Sequence, residues 1–155
     1  MPPGHGFIPS SAEDLLRRRV KGELRKRMRG LRKALPSSAC AARSEKIAER
    51  LAGLEPVASA SRVALFWPIE ERHEVDLRGL DRRLRERGAT VAYPAVDPES
   101  GALVFRSVAT PEAMEVQGFG FREPSPREPE ASDLEVVVVP ALAADPRGHR
   151  IGYGA

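Results

Sequence analysis

The segment that most constrains the fold lies between residues 62 and 94, where a helical pattern separates two short apolar runs. Residues 62–67 and 90–94 are rich in β-branched, aromatic and other apolar side chains, which is typical of strands. Between them, leucines at helical spacing are followed by a glycine that suits the end of a helix. These positions are Leu77, Leu80, Leu84 and Gly88. A strand, a helix and a strand in this order predict a parallel pair joined by a right-handed crossover.

Two further apolar runs extend the predicted sheet. Residues 103–106 are expected to form an edge or hairpin strand, and residues 134–139 are apolar enough to be the central strand. The sequence therefore predicts an α/β fold, a Rossmann-like three-layer arrangement in which helices flank a mainly parallel central sheet. Three of the strands end at a proline, namely Pro68, Pro94 and Pro140. Because binding sites in such folds lie at the carboxyl ends of strands, we expect the loops after these prolines to form the site.

The N-terminal part of the chain is predicted to contribute two helices. Apolar side chains step by three or four along residues 14–35, and Pro36 separates this helix from the next one. Residues 1–12 are expected to be a disordered tail and residues 13–155 a single domain. No apolar run has the length of a membrane span, and the single cysteine, Cys40, suits a reducing compartment. We therefore expect a cytoplasmic protein without a membrane partner.

Charge is distributed unevenly along the chain. Residues 1–50 carry 13 Lys and Arg against 5 Asp and Glu, a balance of +8, whereas the other 105 residues carry 12 against 17, a balance of −5. The basic part suits nucleic acid, acidic lipid or a nucleoside triphosphate, or it is a solvated helix surface. Lys21, Arg25 and Arg29 share one helix face and can clamp a triphosphate, although this pattern alone favours a solvated basic helix. Nucleic acid is not the expected partner, because aromatic side chains for stacking bases make up only 5% of the chain.

A second anion-binding pattern follows the last predicted strand. Gly148, Gly152 and Gly154 surround Arg150 in a loop after residues 134–139. Glycines let the backbone approach an anion, whose charge backbone N–H groups and arginine can hold. The spacing does not match the P-loop motif and lacks its lysine, so a flexible turn is the alternative interpretation. Because the loop follows an apolar strand, we favour an anion site.

Acidic side chains crowd the loop after the first strand. They are Glu70, Glu71, Glu74 and Asp76, with His73 among them. One of these carboxylates is placed to accept hydrogen bonds from a polar ligand, and the others are expected to be exposed loop charge. A zinc site is not expected, because His73 has no second histidine at ligand spacing.

Five short motifs, taken in order, resemble the 5-formyltetrahydrofolate cyclo-ligase family, also called methenyltetrahydrofolate synthetases. The motifs are Lys21-Gly22-Glu23-Leu24-Arg25, Phe66-Trp67-Pro68, Glu74-Val75-Asp76, Gly120-Phe121-Arg122-Glu123-Pro124 and the run from Val139-Pro140 to Gly154. Each motif is weak alone, but their order makes a strong match over about residues 18–155.

The resemblance implies an ATP- and Mg²⁺-dependent conversion of 5-formyltetrahydrofolate to 5,10-methenyltetrahydrofolate, with release of ADP and phosphate. It implies that ATP is bound by Lys21, Arg25, Arg150, Ile151, Gly152, Tyr153, Gly154 and Ala155. It also implies that Glu74 binds the pterin of the folate, that Phe66 and Trp67 line the pterin pocket, and that Tyr153 and Gly154 lie between the two ligands. No residue is assigned a catalytic role.

The family pattern continues beyond the position of Ala155 with an aspartate that is the expected Mg²⁺ ligand, so no metal ligand is assigned within this sequence. We expect little or no cyclo-ligase activity from the isolated chain, a monomer when the chain is complete, and one unpaired side on the strand of residues 134–139. A non-catalytic relative that binds folate or nucleotide, and a basic nucleic-acid-associated module, are the alternative hypotheses.

Overall fold

The structure, a computed structural model, describes residues 11–116 and 121–153. Its helices are α1 (Ala12–Lys33), α2 (Ser37–Gly53), α3 (Glu55–Ser59) and α4 (Arg78–Glu86). Its strands are β1 (Arg62–Ala64), β2 (Thr90–Val96), β3 (Leu103–Ser107), β4 (Glu115–Val116), β5 (Arg122–Glu123), β6 (Val136–Val137), β7 (Ala143–Ala144) and β8 (Arg150–Ile151). Residues 1–10 of the predicted tail, and Gly120 of the fourth motif, lie outside the described residues.

The chain divides into two compact units. The first contains α1 and the segment from Ala141 onward, and the second extends from Leu35 to Pro140. The second unit holds the hydrophobic core, to which α2, α4, β1 and β2 all contribute buried side chains. The expectation that residues 13–155 form a single domain stays a prediction.

The second unit is built on a four-stranded sheet in the order β3-β2-β1-β6. Strand β1 is parallel to both β2 and β6, and β3 returns antiparallel to β2 as an edge strand. The predicted β–α–β unit and the hairpin strand are therefore confirmed, and the fold is a mixed α/β fold whose mostly parallel sheet is flanked by helices. The small β4–β5 hairpin lies outside this sheet.

Helix α4 forms where the leucine spacing predicts it. Leu80 and Leu84 are 0% and 2% exposed, so one face of the helix packs into the core. Gly88 follows the helix with φ of 86°, a left-handed conformation that glycine adopts without steric cost. Beside it, Arg87 donates hydrogen bonds to the carbonyl oxygens of Val57 and Ala60 at 2.7 and 2.6 Å, which ties the end of α4 to α3.

The predicted ends of the first two strands are wrong, and Pro94 accounts for both. Strand β2 continues through Pro94, which pairs with Phe105 of β3. The N–H of Leu65 donates to the carbonyl of Ala92 at 2.9 Å, so the next ladder bond toward β1 would need an N–H from residue 94. Proline has no N–H, so pairing stops there and residues 65–67 leave the sheet. Pro94 therefore ends β1 and leaves β2 intact.

The apolar run at 134–139 is not the central strand that its composition predicts. Only Val136 and Val137 form a strand, and β6 lies at the edge of the described sheet with β1 as its partner. Val137 and Val139 are 42% and 50% exposed, because alternate side chains of an edge strand point away from the core. Glu135 fixes the register of β6, since its carboxylate accepts hydrogen bonds from Arg62 Nη2 at 3.0 Å and from the N–H of Ser61 at 2.5 Å.

The first unit consists of a long basic helix and a short hairpin. The side chain of Ser11 caps α1 by accepting the N–H of Asp14 at 3.2 Å. No residue of α1 is buried. Strands β7 and β8 pair antiparallel. None of the helices in the described ranges combines the length and apolar character needed to cross a membrane.

Candidate functional site

The carboxyl ends of β1, β2 and β6 lie at one edge of the sheet, because these three strands are parallel. The loop that follows β1 carries Phe66, Trp67 and Glu74, three of the residues predicted to bind folate. Phe66 is buried in the core, whereas Trp67 is only half-buried. Of the two aromatic rings, Trp67 is therefore the one that presents surface to a ligand.

Trp67 is held in place by a tyrosine and two arginines. Its ring meets that of Tyr93 edge-on, with centroids 6.0 Å apart and planes inclined at 62°. The Cζ atoms of Arg78 and Arg122 lie 5.8 and 5.6 Å from its centroid, within the range of cation–π attraction. These contacts connect the loop after β1 with α4 and with β5. Neither arginine was predicted from the sequence as a site residue, although Arg122 lies in one of the family motifs.

A cleft of about 380 Å³ opens beside Trp67 along α4. Its walls include Arg78, Arg82 and Arg85 from α4, together with Pro111. This volume is in the range of small-molecule sites. Of the three predicted folate contacts in this loop, Trp67 lines the cleft, whereas Phe66 and Glu74 do not.

Glu74 is fixed within the loop by the backbone. Its Oε2 accepts the N–H of Ile69 at 2.9 Å, and its own N–H donates to the carbonyl of Ile69 at 3.5 Å. Glu74 is half-buried, whereas Glu71 on the same loop is exposed. The structure therefore distinguishes one positioned carboxylate from a solvated one.

An ion pair fixes the start of α4 beside this loop. Arg78 donates to Asp76 from Nη2 at 2.6 Å, from Nε at 2.9 Å and from its backbone N–H at 2.9 Å. The N–H of Asp76 donates in turn to the hydroxyl of Ser44 at 3.0 Å. Partial burial raises the pKa of Asp76, but the hydrogen bonds and charge of Arg78 outweigh this effect and hold the pKa below its ordinary value of 3.8.

We expect Asp76 to titrate below pH 3.8 in the folded protein, and its midpoint to rise in Arg78→Gln. Because the folded-state pKa is lowered, the stability contributed by this pair is complete above the unfolded pKa and is lost as pH falls through the folded pKa. An NMR titration of the Asp76 carboxyl carbon measures the midpoint. Arg82→Gln removes a charge from the next turn of the helix and serves as the control. The same midpoint in both variants would contradict the assignment.

A buried carboxylate, Asp81, lies in α4 beside the cleft. Its side chain is 4% exposed and accepts hydrogen bonds from Arg85 Nε at 2.8 Å and from the hydroxyl of Tyr93 at 2.7 Å. Arg85 also donates to the carbonyls of Val108 and Ala109 at 2.7 and 2.6 Å. Burial, and next the negative charge of Asp81, raise the pKa of Tyr93, so its hydroxyl stays a donor. This network joins α4, β2 and the segment after β3.

The described part of the chain contains no cluster of acidic side chains that could by itself enclose a metal ion. In residues 11–116 and 121–153, no three His, Cys, Asp or Glu side chains come together as ligands. In the loop after β1, Glu70 and Asp76 both pair with Arg78, and Glu74 accepts a backbone N–H. Each of these carboxylates is therefore compensated by a cation or by a backbone N–H.

In the other unit, part of the predicted anion loop is a hairpin. The N–H of Asp145 donates to the carbonyl of His149 at 2.9 Å, and Gly148 completes the turn with φ of 86°. Hydrogen bonds from His149, together with contacts from Arg147, lower the pKa of the exposed Asp145 carboxyl. The interpretation of Arg150 and Ile151 as irregular loop is wrong, because this turn folds them back as β8 against β7.

Helix α1 contacts the chain directly after β8 through three arginines. Arg25 Nε donates to the carbonyl of Gly152 at 3.0 Å, and Arg29 Nη2 donates to that of Tyr153 at 2.5 Å. Arg32 Nη1 donates to the hydroxyl of Tyr153, and its Nη2 donates to the carbonyl of Ala141 at 2.6 Å. The structure thus brings together Arg25, Gly152 and Tyr153 of the predicted ATP-binding residues.

The other residues predicted to bind ATP are placed differently. Lys21 is exposed on α1, one turn before Arg25, and Arg150 is exposed at the start of β8. Gly154 and Ala155 lie outside the described residues. Arg32 was missed, although it follows Arg25 and Arg29 at the spacing of one helix face, a signal that the sequence contains.

Comparison with known proteins gives matches to one family. The sequence model of the 5-formyltetrahydrofolate cyclo-ligase family matches residues 17–155. The NMR structure of Aquifex aeolicus 5,10-methenyltetrahydrofolate synthetase is similar with a TM-score of 0.74 and 30% identity, over 88% of this chain and 68% of that one. A 5,10-methenyltetrahydrofolate synthetase from Mycoplasma pneumoniae has a TM-score of 0.64 and 20% identity, over 86% of this chain and 71% of that one, which is a likeness of fold alone. No match is found among curated protein sequences.

Proposed function

Because the chain belongs to the 5-formyltetrahydrofolate cyclo-ligase family, we propose that it serves the ATP-dependent cyclisation of 5-formyltetrahydrofolate to 5,10-methenyltetrahydrofolate, with release of ADP and phosphate. The family match over residues 17–155 is the observation that carries this proposal. The 30% identity to the Aquifex aeolicus synthetase supports it. The single cysteine suits the cytoplasmic location that we also propose.

The reaction requires the protein to position the substrates and to stabilise the charge that develops. A formyl group on nitrogen is an amide, whose carbon is a poor electrophile and whose oxygen is a poor leaving group. When the formyl oxygen attacks the γ-phosphorus of ATP, the new O–P bond replaces the bond to ADP, and the formyl carbon becomes iminium-like. The substrate's second nitrogen then attacks this carbon and loses its proton. The C–O bond breaks with phosphate as the leaving group. Because the attack is intramolecular, orientation supplies much of the rate enhancement.

For ATP, we propose Lys21 and Arg25 of α1 and the segment from Arg150 to Ala155 as the phosphate-binding groups. In support, Lys21 presents an exposed ammonium group on the helix face that Arg25 shares. Arg25 donates a hydrogen bond from Nε to the carbonyl of Gly152. This contact does not involve the two terminal nitrogens of Arg25. Donors of this type suit phosphate oxygens.

For the folate, we propose that Glu74 accepts hydrogen bonds from the pterin, that Phe66 and Trp67 line its pocket, and that Tyr153 and Gly154 contact it from the nucleotide side. In support, Glu74 is positioned by the Ile69 N–H, and Trp67 is half-buried beside a cleft of suitable size. A carboxylate suits the amino group and ring N–H of a pterin. The family resemblance also implies Mg²⁺, to which we assign neither a ligand nor a step.

Replacing Glu74 with glutamine is expected to weaken 5-formyltetrahydrofolate binding by about 1.5–3 kcal/mol, the value of a charge-assisted hydrogen bond, while ATP binding is unchanged. Glu71→Gln is the matched control, because it removes the same charge from an exposed position on the same loop. Calorimetric titration with each ligand measures both affinities. Equal losses in the two variants would mean that the loop contributes only bulk negative charge.

The function itself is tested by the absorbance of the methenyl product. The assay incubates the 155-residue chain with 5-formyltetrahydrofolate in the presence and in the absence of ATP. Product is expected to form only with ATP. 5-Methyltetrahydrofolate, which lacks the formyl oxygen, is the control and should give none. Folate binding without turnover would indicate a non-catalytic relative.

A further inference from the structure

Arg32 lies near the end of α1 and contacts both ends of the segment formed by residues 141–153. Its Nη2 donates to the carbonyl of Ala141 at 2.6 Å, and its Nη1 donates to the hydroxyl of Tyr153. Its Cζ lies 5.7 Å from the centroid of the tyrosine ring. The guanidinium group of Arg32 therefore ties helix α1 to Ala141 at the start of the segment and to Tyr153 at its end.

A guanidinium group imposes a fixed geometry on these acceptors. Its two terminal nitrogens are coplanar and rigidly spaced, so the carbonyl and the phenol oxygen are held at a set separation. A lysine at this position would offer a single point charge on a flexible chain and would not hold both acceptors in this way. The bonds are charge-assisted, which makes them stronger than neutral hydrogen bonds.

The contact also orients the hydroxyl of Tyr153. Because the phenol oxygen accepts a hydrogen bond from Arg32, its own proton has to point away from the guanidinium group. A phenol held in this way acts as a donor toward an acceptor on its other side, such as a phosphate oxygen.

The hairpin depends on such external contacts. Strands β7 and β8 have two residues each, and an isolated two-stranded hairpin is marginally stable in water. The contacts of Arg25 and Arg29 reach only Gly152 and Tyr153, at the end of the segment. The contact with Ala141 ties the segment's beginning to the same helix.

We propose that Arg32 is a positioning residue for the nucleotide: it holds residues 141–153 against α1 and turns the Tyr153 hydroxyl toward the phosphates of ATP. The inference rests on the proposed function, because it takes residues 150–153 as part of the ATP site. It assigns Arg32 no contact with the substrate or the reacting atoms.

The test compares Arg32→Gln, Arg32→Lys and Arg27→Gln in the 155-residue chain. Arg27 is the matched control, because it is exposed on the same helix and takes part in no hydrogen bond or ion pair found among the described residues. Two quantities are measured without turnover: the dissociation constant of ATP by calorimetry, and amide hydrogen exchange. The reporter amides are those of Leu142, bonded to the carbonyl of Ile151 at 2.7 Å, and Asp145.

Arg32→Gln is expected to weaken ATP binding about ten- to a hundredfold, because a charge-assisted hydrogen bond is lost. Amide exchange at Leu142 and Asp145 should become faster. Arg32→Lys should fail to restore ATP affinity, and Arg27→Gln should match the unsubstituted chain. Unchanged amide exchange in Arg32→Gln would overturn the proposal, and so would faster exchange with unchanged ATP affinity. Neither result would contradict the proposed function. If the unsubstituted chain binds no ATP, the proposed function and this inference fail together.

Discussion

Replacing Asp81 with alanine is expected to lower the free energy of unfolding by about 3–5 kcal/mol, the cost of removing one partner from a buried ion pair. The Asp81 side chain is 4% exposed and accepts hydrogen bonds from Arg85 and Tyr93. Without it, the guanidinium group of Arg85, which is 21% exposed, loses its counter-charge, and the buried hydroxyl of Tyr93 loses its acceptor. Urea unfolding followed by circular dichroism measures the change.

The control for this prediction is Glu45→Ala. Glu45 pairs with Arg83 at 3.0 Å, but its side chain is 61% exposed, so the loss is expected to be about 0–1 kcal/mol. Asp81→Asn should fall between the two, because the amide oxygen still accepts a hydrogen bond while the charge is lost. A destabilisation of Asp81→Ala no larger than that of Glu45→Ala would show that Arg85 and Tyr93 find other partners.

Leu80→Ala is the second substitution with a large expected effect, a loss of about 2–5 kcal/mol in the free energy of unfolding. Leu80 is 0% exposed and packs in the core between α4 and the sheet, so alanine leaves a cavity as well as removing apolar contact. Leu103→Ala is the matched control, since Leu103 lies on the edge strand β3 and is 66% exposed. Its change is expected to stay within about 0.5 kcal/mol. Equal losses would mean that the face of α4 is not packed as described.

The parts of the fold that depend on local pattern were predicted correctly. Leucine spacing and Gly88 located α4, and the strand–helix–strand order predicted the parallel pairing of β1 and β2. The strand ends were not predicted, because they depend on the neighbouring strand. The proline that ends β1 lies in β2, thirty residues from Ala64 along the chain, and its effect appears only when the register is known.

The edge position of β6 has a similar cause. Four consecutive valines are typical of a strand buried on both faces, yet the order of strands within a sheet depends on long-range pairing that composition does not encode. Composition therefore identified residues 134–139 as a strand region and misplaced it within the sheet.

The candidate site residues differ in how far the sequence indicates them. Family motifs proposed Trp67, Glu74 and Arg25, because each lies in a short pattern that can be read locally. Arg32 and Asp81 belong to no such motif. Their importance follows from partners far away in sequence, the carbonyl of Ala141 for one and the hydroxyl of Tyr93 for the other. Helix spacing was the signal that the sequence contained. Asp81 follows Leu77 by four positions and therefore lies on the buried face of α4.

The most direct test of the account is to follow the formyl oxygen. The substrate is 5-formyltetrahydrofolate labelled with ¹⁸O in the formyl group, incubated with ATP and the protein. If the oxygen attacks the γ-phosphorus and then leaves with it, one ¹⁸O atom appears in inorganic phosphate for each methenyl product formed, as mass spectrometry of the phosphate measures. Release of the label into water, with unlabelled phosphate, would contradict the proposed cyclisation through a phosphorylated formyl group.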